Sequence, residues 1–189
     1  MYKEQYLSVL SNACDGAITY YVGENEEDVK DLENCTLFCK ESFSPKLKNV
    51  KLIKSQNPQL EFYKLSEKYK KDYLEENKLE CITGYYLHKD AVIGKNVTIG
   101  KGCVIGKCVI EDNVKIHPNV VVYAETKIMS DVVIEANTVI GAEGVMWVWD
   151  NEERVYLHQL GGVIIEKHCK IGSNVTIVRG SANENTIIG

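Results

Sequence analysis

The sequence predicts a mainly β protein: a parallel β-helix over residues 81–189, preceded by a small α/β domain over residues 1–80. Three observations predict it. Aliphatic residues recur six apart at Leu87, Ile93, Ile99 and Ile105, then, after one hexad that is a residue short, at Ile110, Ile116, Val122, Ile128, Ile134 and Ile140. A small or slim residue follows each at a fixed offset: Ala91, Val97, Cys103, Val109, Val114, Val120, Thr126, Val132, Thr138. Before residue 80 this cadence is replaced by short apolar runs alternating with helix-start signals.

A period of six matches neither an α-helix nor a coiled coil. It matches flat strands separated by turns, with one side chain per strand facing a narrow core and each coil stable only on its neighbours. Each buried Ile or Val contributes about 1.5–3 kcal/mol. The small residue marks the corner, and Gly, Asn and Asp supply the turn angles. On this geometry His88 and His117, each directly after a lead residue, are expected to face outward.

In the front domain, Ile18–Val22, Thr36–Cys39 and Val50–Ile53 read as strands. Asn25 followed by Glu26, Glu27 and Asp28 reads as a capped helix start, with the helix running to about Asn34. Asn57-Pro58 is a second start, opening a helix that carries Leu60, Tyr63, Leu65, Tyr69, Tyr73 and Leu74. Strands alternating with helices give the α/β reading. Glu75–Glu80 is a polar hinge. Beyond Ile140 the repeat breaks for a loop at 142–162, which holds Trp147, Trp149, His158 and Gln159, and resumes at Ile165. Such excursions often form a binding face. Gly189 falls inside a hexad, so further coils of a longer protein, or another chain, are expected to cover the end.

Composition narrows the function. The 189 residues are 44% hydrophobic and 26% charged, with net charge −5, which disfavours a broad nucleic-acid face. No apolar run reaches membrane-spanning length, and Met1–Leu10 has no signal pattern, so the cytoplasm is expected. The seven cysteines show no zinc spacing and read as reduced small apolar residues. No metal site is expected.

The hexads resemble those of the left-handed β-helix acyltransferases. Four segments follow the pattern of one family, the UDP-3-O-acylglucosamine N-acyltransferases of lipid A synthesis: Ile116–Tyr123 (IHPNVVVY), Val139–Gly144 (VIGAEG), Gln159-Leu160-Gly161 and Ile177–Ser181 (IVRGS). Gly16–Val22 and Val50–Tyr69 resemble that family's uridine-binding domain. The chain departs from the pattern at Val178, where the family has Asp, and at Gly23 and Glu26, which align with a family Asn and Tyr. The resemblance implies transfer of an acyl group from acyl carrier protein to the 2-amino group of a UDP-linked amino sugar, in a homotrimer, with no cofactor beyond the acyl thioester. It implies that Tyr20 stacks on uracil. It places the catalytic histidine on the coil after Gly189, leaving the catalytic residues unknown within this stretch. Arg179 is a candidate for holding phosphate or carboxylate, and Gln159 for contacting substrate. The other readings are a non-catalytic β-helix that binds nucleotide sugar or trimerises, and an acetyl-CoA-dependent amino-sugar N-acetyltransferase.

Overall fold

A computed structural model describes residues 5–189. Its contacts divide the chain into two compact units. One gathers the chain up to Lys70 with Val145–Leu160 and Ser181–Glu184; the other holds Lys71–Gly144, Gly161–Gly180 and Asn185–Gly189.

The first unit is built on four parallel strands, β1 (Tyr6–Leu7), β2 (Ala17–Tyr20), β3 (Thr36–Lys40) and β4 (Lys51–Ser55), paired in that order. Neighbouring residues of β2 serve opposite faces. Ala17 joins Val29, Leu32, Leu37 and Cys39 in one cluster, and Ile18 joins Leu7, Phe62 and Tyr63 in another. The helix α1 (Pro58–Ser66) starts as predicted, with Asn57 Oδ1 accepting from the Leu60 N–H at 3.1 Å. It stops earlier than predicted, giving way to a 3₁₀ turn at Glu67–Tyr69. There the Ser66 hydroxyl donates to the Tyr63 carbonyl at 2.7 Å, a local bond that competes with the helical ladder. Tyr73 and Leu74 therefore lie beyond the helix.

The helix expected to run to Asn34 is a 3₁₀ turn, Glu26–Val29. Asn25 does cap it, accepting from the Glu27 N–H at 3.2 Å. Only Val29 of this turn is buried, so no apolar face is present to carry the helix past its nucleus.

Residues of the expected loop form an antiparallel hairpin, Trp147–Asp150 against Glu153–Tyr156, turned at Asn151 with φ 54°. Val148 and Val155 pack into the cluster with Phe62 and Leu65. Asp150 pairs with Lys64 of α1 at 2.7 Å. Trp147, Trp149 and Tyr156 stay exposed on the outer face. There the two indoles meet edge to face at 4.9 Å, with the Arg154 guanidinium over both.

The second unit is the parallel β-helix. The lead residues stack in three columns, each in one parallel sheet: Ile93–Ile110–Ile128–Ile165–Ile188, Ile99–Ile116–Ile134–Ile171, and Leu87–Ile105–Val122–Ile140–Ile177. They form one apolar core with Cys103, Val114, Val120 and Val132. Corners are turned by left-handed residues, chiefly asparagine: Asn96, Asn113, Asn119, Asn137 and Asn174 all have φ between 56° and 62°. The short hexad after Ile105 lacks this residue; none of Gly106, Lys107 and Cys108 has positive φ. Its small corner position is consequently Cys108, 4% exposed, while Val109 faces outward at 39%. This corrects the offset read from the sequence.

His88 is also corrected. It is 1% exposed, because the segment expected to be a hinge folds back on it. Glu76–Lys78 is a 3₁₀ turn and β5 (Leu79–Ile82) pairs antiparallel with β6 (Tyr85–His88). Glu75, at φ 45°, places its Oε2 3.1 Å from His88 Nε2, and His88 Nδ1 accepts from the Asp90 N–H at 3.0 Å. Among the described residues no helix is long and apolar enough to cross a membrane.

Candidate functional site

In the first unit β1 and β2 run parallel, with Leu7 beside Ile18, and a pocket of about 230 Å³ is lined by residues that follow β1 and by the end of β2, the side of an open parallel sheet where ligands are placed. Ser8, Val9 and Leu10 line it after β1, and Tyr20, Tyr21 and Val22 at the end of β2. Phe62 of α1, Met146 and Leu157 flanking the hairpin, and Ser181 complete the wall. The lining is mostly apolar with two hydroxyl side chains beyond the tyrosines, a mix common to small-molecule pockets.

Tyr20 lines this pocket and is half-buried. Its ring lies 5.0 Å from Phe62 and 6.4 Å, edge-on, from Tyr63. Burial, with Tyr63 beside it, lifts the phenol above its usual range, so Tyr20 is neutral at physiological pH. The pocket rim is fastened by Asn183, whose Oδ1 accepts from the Ser8 hydroxyl at 3.0 Å and from the Val9 N–H at 3.1 Å.

The other two candidates are placed differently. Arg179 is 1% exposed. Its Nε donates to the Gly141 carbonyl at 2.8 Å, Nη1 to Gly161 at 3.1 Å and Nη2 to Ala124 at 2.9 Å, and Tyr73 covers its face with the ring centroid 3.2 Å from Cζ. Burial pushes the guanidinium below its usual range while the Tyr73 hydroxyl opposes that shift. The expectation that Arg179 holds a ligand phosphate is thus corrected: its donors tie together carbonyls where the coils are interrupted. Gln159 is 5% exposed and is not among the residues lining the pocket, so the structure does not display it to a ligand there.

Each histidine has a carboxylate neighbour: His88 with Glu75, His117 with Glu135 at 3.7 Å, His158 with Glu67, and His168 with Asp131 at 3.9 Å. None lines the pocket. A second groove, of about 460 Å³, lies on the β-helix and is bounded by Leu74, Leu79, Tyr86, Val104, Val121 and Tyr123. Glu76 is its single charged residue, so it lacks the convergent polar groups of a reactive centre.

Sequence reasoning missed Ser8, Phe62, Met146, Leu157 and Ser181 as neighbours of Tyr20. The available signal was the run of apolar residues ending at Tyr20, since the carboxyl end of a parallel strand is a site by position.

Comparison with protein families matches residues 107–142 to bacterial transferase hexapeptide (six repeats), and residues 162–181 to the hexapeptide repeat of succinyl-transferase. Both matched stretches are similar to hexapeptide repeats of transferases. The two matches lie on either side of the hairpin and support the acyltransferase superfamily that uses this β-helix. A comparison with curated proteins finds no match.

Proposed function

We propose that this chain is the nucleotide-sugar-binding part of an N-acyltransferase, which moves an acyl group from an acyl carrier protein thioester to the 2-amino group of a UDP-linked amino sugar. The observation that supports it best is the pocket at the ends of β1 and β2 with Tyr20 in its wall, in a chain whose β-helix carries transferase hexapeptides. A uracil ring on Tyr20 would gain stacking and burial together, about 1–3 kcal/mol.

In the reaction the amine nitrogen attacks the thioester carbonyl. A neutral histidine takes the amine proton and a backbone N–H stabilises the tetrahedral oxyanion. Collapse breaks the C–S bond, releasing the carrier thiol and leaving the amide. The general base is not among the residues that line the pocket. The working assembly is a homotrimer in the cytoplasm.

Calorimetric titration with UMP and UDP-N-acetylglucosamine tests the reading. Saturable binding, weakened about tenfold or more by Tyr20→Ala, supports it. Failure of both ligands to bind, or acyl transfer from acetyl-CoA in preference to acyl carrier protein, overturns it.

A further inference from the structure

The hydroxyl of Tyr20 is held by a residue that does not line the pocket. Gln59, in the first turn of α1, donates from Nε2 to Tyr20 Oη at 3.4 Å and to Tyr63 Oη at 3.2 Å. Neither Gln59 nor Tyr63 lines the pocket, whereas the Tyr20 ring does. One amide therefore bridges two phenols without itself lining the pocket. Its place is set by the start of α1, where Asn57 caps and Pro58 fixes the first turn. A side chain on χ1 and χ2 alone can swing a ring. Packing against Phe62 restrains one side of Tyr20, and the amide bridge restrains its tip.

We propose that Gln59 is a positioning residue for the pocket: it fixes the plane of the Tyr20 ring through the phenol, so that the face presented to a nucleobase is preorganised. The inference rests on the nucleotide reading above. It also gives the Tyr20 hydroxyl a use that a phenylalanine at this position could not have. The chemistry is recognition only. The bridge engages one acceptor position on each phenol oxygen, so the contact it preorganises is the ring face.

A double-mutant cycle on UMP binding tests it, with the thermal midpoint measured alongside. Gln59→Leu removes the bridge and Tyr20→Phe removes its far end while keeping the ring. Each is expected to raise the UMP dissociation constant about 3–10-fold, the value of one modest hydrogen bond, with the midpoint within a few degrees of wild type. The double variant is expected to bind no more weakly than either single one, because both changes break the same restraint. General damage to the helix would instead lower the midpoint and add to the Tyr20→Phe loss. Additive losses, or a Gln59→Leu affinity equal to wild type, overturn the proposal. If wild-type protein binds no UMP, the nucleotide reading falls first and this one with it, an outcome distinct from a bound nucleotide that ignores Gln59.

Discussion

Arg179→Met replaces the guanidinium by an apolar chain of similar reach. The carbonyls of Gly141, Gly161 and Ala124 lose their shared donor. Each buried carbonyl left unpaired costs about 1–3 kcal/mol, and losing the stack on Tyr73 adds about 1–2 kcal/mol. Against this, the variant no longer carries the cost of holding a charge away from water, several kcal/mol in a buried site. The balance is a destabilisation of about 3 kcal/mol. Arg179→Lys is expected to lose nearly as much, since one ammonium cannot reproduce a planar fork bonded to three carbonyls. Urea unfolding followed by circular dichroism measures both. UMP binding under native conditions is expected to survive in either variant. Full stability with lost nucleotide binding would refute the argument and restore Arg179 as a ligand clamp.

Gly141 has φ +84°, and an added Cβ would stand 2.8 Å from Thr126 Oγ1 and 3.2 Å from Tyr123 Cβ. Gly141→Ala is therefore expected to cost about 2–4 kcal/mol in the same unfolding assay. The Lys78 ammonium, with His88 assisting, holds the Glu75 carboxyl below its usual range. A depressed carboxyl stabilises the fold above its ordinary pKa and loses that contribution as pH falls through the lower folded value. Unfolding midpoints between about pH 5 and pH 3 should then fall more steeply in wild type than in Glu75→Gln. Burial pushes the Cys108 thiol up to about 12, so stability should decline above about pH 9 by up to about 1.4 kcal/mol per pH unit. Cys108→Ala should flatten that decline. With a thiol reagent Cys14 and Cys81, both exposed, should react at once, and Cys35, Cys39, Cys103 and Cys108 only on unfolding.

The β-helix was legible because its information is periodic. Every coil repeats the same burial problem, so Ile93, Ile110 and Ile128 announce one column without any knowledge of what lies between them. The capped start of α1 was legible for a related reason: Asn57 and Pro58 act on backbone groups within a turn. Errors arose where a distant partner decides. Tyr73 reads as the next apolar position of a helix, yet it covers Arg179. His88 reads as outward by parity, yet Glu75 and the Asp90 N–H enclose it. Val109 reads as a corner by counting, yet the short hexad had dropped the left-handed residue and moved the corner to Cys108.

Sequence alone therefore determined the architecture of the solenoid and the sheet-and-helix character of the front. These follow from local propensity and from a period that admits one way of burying its apolar side chains. Tertiary structure alone decided what the long-range groups do: Met146, Leu157 and Ser181 join Tyr20 at one pocket, and Arg179 becomes an internal tie. A guanidinium takes whichever acceptors the fold brings within 3 Å, and nothing in the residues beside it says which those are.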